Sequence, residues 1–214
     1  MRFADIQMLR YNLPGFNELS ARQKAYIYFL SEATLWGRDI TFDQFGKYNL
    51  LIRKTLEAIF KSKKWDNNDA ESAAFLTYLK RVWFSNGIYH HYGCDKFSPE
   101  FSKNYFISLV NETDESSLPL PKEQLLSIIL PVIFNPDILP KRVNKADGED
   151  LVATSACNYY EGLVQAEVEN FPHAHPLNST LCKKDGVITE DVWRIGGKYG
   201  KTIEKIVENI QKAS

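Results

Sequence analysis

The stretch TLCKKDGVITEDVWRI, Thr180–Ile195, separates an all-helical reading from a mixed one. Two runs rich in β-branched and apolar residues, Thr180–Lys184 and Val187–Ile195, flank Asp185-Gly186. That dipeptide suits a two-residue hairpin turn, because both positions tolerate positive φ. Two strands alone are marginal in water, and their edges carry unpaired N–H and C=O groups. Something must pair with those edges or cover them, and strands outside this chain are one answer. A last helix follows from about Tyr199 to Lys212, with Ile203, Ile206, Val207 and Ile210 on one face.

Upstream of the hairpin the pattern is helical. Ser20 and Gln23 make a capping box, Tyr26, Phe29, Leu30 and Ala33 recur at helical spacing, and Gly37 is the expected stop. A second helix fits Tyr48 to Ser62. Asn68 with Glu71 reads as another capping box, opening a broad apolar stripe (Phe75, Tyr78, Leu79, Val82) that ends near Gly87. Ser98 before Pro99 is a suitable cap for a segment containing Phe106, Leu109 and Val110. The run Glu123–Phe134 is apolar nearly all round and predicts a buried helix bent at Pro131. After Pro136 the character changes: PDILPKRVNKADGED reads as a surface loop, and Asn158–Phe171 again has helical spacing. The expectation is an α+β fold, mainly helical, with a small antiparallel hairpin or incomplete sheet in the C-terminal third. It is a single domain over 1–214, helical over 1–135 and mixed over 136–214.

Composition narrows the function. The 214 residues carry 26 Lys and Arg against 27 Asp and Glu. Without a basic field to neutralise phosphates, nucleic acid is not an expected partner. The longest apolar stretch, Leu125–Phe134, is interrupted by Ser127 and Pro131. A membrane span needs about 20 residues, so no membrane association is expected. The start, MRFADIQMLRYNL, lacks the apolar run of a signal peptide, which predicts a cytoplasmic chain or an omitted leader. Aromatic residues, at 13%, predict a bulky core. Cys94, Cys157 and Cys182 are too few and too widely spaced for a disulfide framework.

The segment IYHHYGCDKF, Ile88–Phe97, is the most unusual in the chain. His90, His91 and Cys94 are soft ligand types, but adjacent histidines rarely aim at one ion and a fourth ligand is missing. Aromatic packing on the preceding helix is the plainer reading. A polar, aromatic cleft wall is the third, since Tyr and His offer both area and hydrogen bonds to a peptide. His173 and His175 form an H-x-H between prolines, which favours a surface loop over a metal site. The G-G-x-x-G at Gly196–Gly200 reads as a turn and cap. There is no H-E-x-x-H, G-x-S-x-G or phosphate-binding glycine loop, and no nucleophile, base and oxyanion donor assemble from this inventory.

A longer stretch is more informative. YLKRVWFSNGIYHHYGCDKFSPEF, Tyr78–Phe101, resembles a segment near the N-terminus of the dipeptidyl-peptidase III family. The family has an S-N-x-G-like turn, here Ser85-Asn86-Gly87 and one residue shorter. An aromatic-Gly pair follows, here Tyr92-Gly93, and then K-F-x-P, here Lys96, Phe97 and Pro99. Glu32–Phe60, Lys141–Gly162 and the hairpin with its flanks are similar to the bacterial branch, so the resemblance covers nearly the whole chain. It implies part of a two-lobed zinc exopeptidase that removes dipeptides from peptide N-termini. The zinc motif H-E-x-x-G-H lies in the other lobe and later in sequence. No zinc ligand or catalytic residue is therefore carried over, no cofactor is expected in this chain, and zinc belongs to the full-length enzyme. The implied partners are short peptides and the missing zinc-bearing lobe. The resemblance places Tyr92 at the substrate cleft and Asn86 in the turn that sets the loop, with His91 included by adjacency. A stand-alone peptide-binding module, or a structural interaction module without catalysis, is the alternative.

Overall fold

The structure, a computed structural model, describes residues 2–66 and 68–214. In chain order its elements are β1 (Arg2–Phe3), β2 (Ile6–Gln7), α1 (Ala21–Phe45), α2 (Asn49–Ser62), α3 (Ala70–Ser85), α4 (Lys103–Glu112) and α5 (Lys122–Phe134). β3 (Tyr160–Glu161), α6 (Gln165–Asn170), β4 (Ser179–Lys184), β5 (Val187–Val192) and α7 (Gly200–Ala213) complete it. The fold is α+β and mainly helical. The chain divides into two compact units: Gln7–Thr41 with Tyr159–Ser214, and Arg2–Ile6 with Phe42–Asn158.

The second unit holds α2 to α5 around an aromatic and aliphatic core. Phe42, Phe75, Phe106, Ile52, Leu56, Ile59, Leu79, Leu109, Leu125 and Ile129 are all but fully buried there. Phe101 touches Phe75, Tyr78, Phe106 and Phe134 with ring centroids 5.5 to 5.9 Å apart, mostly edge-on or tilted, a favourable arrangement for aromatic pairs. α5 lies with Leu125, Ile129, Val132 and Ile133 inward, although Ser127 and Pro131 on its other side are exposed.

The sheet of the first unit has the order β3-β4-β5. The hairpin is as expected: Lys184 pairs with Val187 across Asp185 (φ 50) and Gly186 (φ 78). Two positive φ values are what a type I′ turn demands. β3 pairs in parallel with β4, Tyr160 to Leu181 and Glu161 to Cys182. One hairpin edge is thus covered from within the chain, while the outer edge of β5 has no neighbouring strand among the described residues.

Four assignments differ from expectation. α1 does not stop at Gly37. A lone glycine costs a helix only about 1 kcal/mol, and the helix continues to Phe45 before Gly46. α3 is capped by Asp69, whose carboxylate accepts from the Ser72 N–H at 2.9 Å. Glu71 instead accepts from the N–H of Ser102, the residue that caps α4 in place of Ser98. The helical spacing of Asn158–Phe171 gives a strand and then a short helix. Pairing with β4 claims Tyr160 and Glu161, and Gly162 (φ 73) turns the chain where a Cβ would lie 3.0 Å from the Lys183 carbonyl.

Where α3 ends, Asn86 adopts φ 55, a left-handed cap that asparagine tolerates. Gly87 follows at φ 149, and a Cβ there would lie 2.2 Å from Asn49 Nδ2. Gly87→Ala should therefore destabilise the protein by about 2–4 kcal/mol in urea unfolding, combining overpacking with backbone strain. Asn86→Gly should stay within about 0.5 kcal/mol of wild type.

Candidate functional site

The sequence beyond Gly87 doubles back on itself. Ile88 and Tyr89 leave α3, and Lys96 and Phe97 return beside them: the Phe97 N–H donates to the Ile88 carbonyl at 2.8 Å, and Tyr89 bridges Lys96. The His90 N–H donates to the Asp95 carbonyl at 2.8 Å, so His91-Tyr92-Gly93-Cys94 forms a tight turn at the tip, with Cys94 at φ 63. Apolar residues at the base (Ile88, Tyr89, Phe97) are buried in the core, and the polar tip is left at the surface.

Three anchors hold the hairpin. Asn49, 1% exposed, accepts the Ile88 N–H on Oδ1 at 3.2 Å. The returning leg is tied to the segment after α5: the Lys96 N–H donates to the Pro140 carbonyl and the Arg142 N–H to the Cys94 carbonyl. The Lys96 ammonium donates to the carbonyls of Val132 (3.1 Å), Asn135 (2.6 Å) and Ile138. This places a cation on the negative end of α5 and satisfies carbonyls that a helix terminus leaves open. Burial pulls the Lys96 pKa below the usual lysine range, and nearby Asp137 works against that shift.

At the tip, the Tyr92 side chain is 86% exposed. The His91 ring lies beside it at 4.5 Å between centroids and meets Phe84 edge-on at 5.0 Å. Burial, and then the neighbouring His90, push the His91 pKa down. His91 Nδ1 is buried without a hydrogen-bond partner among the described residues. The Arg142 guanidinium stacks over the Phe45 ring at 4.5 Å and reaches to 3.5 Å from the His91 carbonyl. Beside the tip is an open hollow of about 590 Å³ lined by Arg81, His90, Gly93, Lys96, Phe97 and Glu100.

His91 and Tyr92 therefore sit together on one exposed turn. Asn86 does not share the tip; its place is the helix cap that launches the hairpin. Asn49, Asp5, Arg81 and Arg142 also shape the region, and sequence reasoning missed them. Asp5 and His90 are 85 positions apart, and no local pattern connects them. The soft-ligand reading of the tip finds no support, because the His90 and His91 rings stack at 4.5 Å rather than converge on a point. Among the described residues no three His, Cys, Asp or Glu side chains are placed to hold a metal ion. In the other unit, His173 Nδ1 lies 3.5 Å from Glu190, which also accepts the N–H groups of Ala174 and His175. That carboxylate organises the H-x-H loop by hydrogen bonding.

No family model matches the chain, and a search of curated proteins returns no significant match.

Lys96→Met should cost about 2 kcal/mol in chemical denaturation, because carbonyls at the end of α5 lose their donor. Tyr92→Ala should change stability by less than about 0.5 kcal/mol, since that side chain buries almost nothing.

Proposed function

We propose that this chain is the N-terminal portion of the non-zinc lobe of a dipeptidyl-peptidase III-like exopeptidase, where it supplies lobe framework and one wall of the peptide cleft. The observation that carries the reading is the contrast between the two units. The Phe42–Asn158 unit encloses a full core. In the unit of Gln7–Thr41 and Tyr159–Ser214, the buried apolar residues are Ala33, Leu163 and Leu181. Along α1 of that unit Tyr26, Ile27, Tyr28, Leu35 and Trp36 are exposed. These side chains lie on several sides of α1, and a helix apolar on several sides calls for cover beyond one packed stripe. The outer edge of β5 adds main-chain donors and acceptors suited to a further strand. A lobe completed by more chain satisfies both requirements.

The resemblance of Tyr78–Phe101 supplies the chemistry of the reading, and Tyr92 fits it. An exposed aromatic on a stiffly anchored turn offers a peptide both area and a hydroxyl at low entropic cost. Short peptides and the zinc-bearing lobe are the proposed partners, with zinc confined to that other lobe. A cytoplasmic location belongs to the same proposal. Among the described residues no helix is long and apolar enough to cross a membrane.

The isolated chain, supplied with zinc, should release no dipeptide from a dipeptidyl-naphthylamide; zinc-dependent turnover above a protein-free control would contradict the reading. Intact-mass analysis of the native protein should find these residues in a longer chain that also carries H-E-x-x-G-H, and a native mass of 24.6 kDa would sink the proposal. In that longer protein Tyr92→Ala should lower kcat/KM by about tenfold, the equivalent of about 1.4 kcal/mol.

A further inference from the structure

The tip turn is closed by a side chain that the resemblance does not single out. His90 Nδ1 accepts two backbone N–H groups, from Gly93 at 3.0 Å and from Tyr92 at 3.2 Å. On the far side of the ring, Nε2 lies 3.2 Å from Asp5 Oδ2, in the turn between β1 and β2. Asp5 is itself held 3.2 Å from the Arg81 guanidinium, which stacks on the Phe97 ring at 4.2 Å. An imidazole nitrogen facing two N–H donors must present a lone pair. This network defines one tautomer, with the proton on Nε2 and directed at the carboxylate.

We propose that His90 is the positioning residue of the turn that carries Tyr92, and that protonation of its Nδ1 opens that turn. A proton on Nδ1 would point at the two N–H groups it now accepts, so the backbone of Tyr92 and Gly93 loses its acceptor. Asp5 meanwhile keeps hold of Nε2 in either state. The closed turn therefore binds one proton fewer than the open one, and acid populates the open form.

The charged and titratable groups around the ring are consistent with this direction. From the turn between β1 and β2 comes Asp5. A hydrogen bond from its own backbone, and then Arg81 and His90, hold its carboxyl below the usual range despite some desolvation. From α3 comes Arg81, which offsets the Asp5 charge. From the hairpin come His91 and Tyr92, with Asp95, Lys96 and, just beyond it, Glu100 around the same hollow. Arg142 approaches from the segment after α5 and faces His91. Lys96 is committed to the α5 carbonyls and does not compete for the ring.

Nitrogen NMR of the histidine rings, read together with amide hydrogen exchange, tests the assignment without any peptide. Above its titration His90 should show an unprotonated Nδ1 and a protonated Nε2. As acid protonates the ring, the Tyr92 and Gly93 amide signals should move with it, and their intrinsic-rate-corrected exchange should speed up about tenfold. His90→Asn places an amide oxygen where Nδ1 stood. It should keep both amides protected and remove their pH response, whereas His90→Leu should leave them unprotected at every pH. A proton on Nδ1 at high pH, or amides that ignore the His90 titration, would overturn the proposal even if His90→Leu failed to fold.

The consequence for substrate rests on the function proposed above. In the longer protein, KM for a dipeptidyl substrate should rise at the His90 midpoint in the native enzyme and lose that inflection in His90→Asn. If the amides follow the ring while KM stays flat, the clamp stands and the assignment of Tyr92 to the peptide cleft falls.

Discussion

Asn49 is the point on which the site depends. Its carboxamide is packed between Gly46, just past the end of α1, and Gly87, just past the end of α3, where added Cβ atoms would meet it at 2.8 and 2.2 Å. It is the buried acceptor for Ile88, the first residue after Gly87 in the hairpin. Its Oδ1 is bonded while its buried Nδ2 has no hydrogen-bond partner among the described residues, and the two close glycines leave the carboxamide little room to move. The exit of α3, and with it the direction of the whole Ile88–Phe97 hairpin, follows from that confinement.

From this base the hairpin is stiff at its legs and polar at its tip. The legs use backbone pairing, core packing of Ile88, Tyr89 and Phe97, and the Lys96 ammonium across the end of α5. The tip uses polar side chains: a histidine that accepts from the backbone, a carboxylate from the turn between β1 and β2, and an arginine shared between that carboxylate and an aromatic face. Such an arrangement holds the backbone of the turn and leaves the Tyr92 side chain exposed.

The two units differ in how they are stabilised. The Phe42–Asn158 unit follows the ordinary rule that amphipathic helices bury one stripe against one another. The other unit relies on main-chain pairing in a three-stranded sheet and on polar devices such as Glu190. That carboxylate gathers the Ser179 hydroxyl and two loop N–H groups, and these outweigh its desolvation to lower its pKa. Its long helix shows aromatic residues to solvent.

Much of this architecture follows from local pattern. The Asp185-Gly186 turn, the capping box of Ser20 and Gln23, the stripe of α3 and the apolar run of α5 depend on neighbours within a few residues, so periodicity and turn chemistry identify them. The exposed Tyr92 turn was likewise visible as an odd aromatic and histidine cluster. The rest needed contacts distant in sequence. β3 forms because a strand some twenty residues further on is there to pair with it, and a helical pattern cannot reveal that. The Asn49–Gly87 approach, the Lys96 anchor and the Asp5–His90 pair join segments separated by 36 to 85 positions. Local sequence specifies which elements can form, whereas hydrogen-bond satisfaction in the packed interior selects which distant groups meet, and the candidate site is made from those meetings.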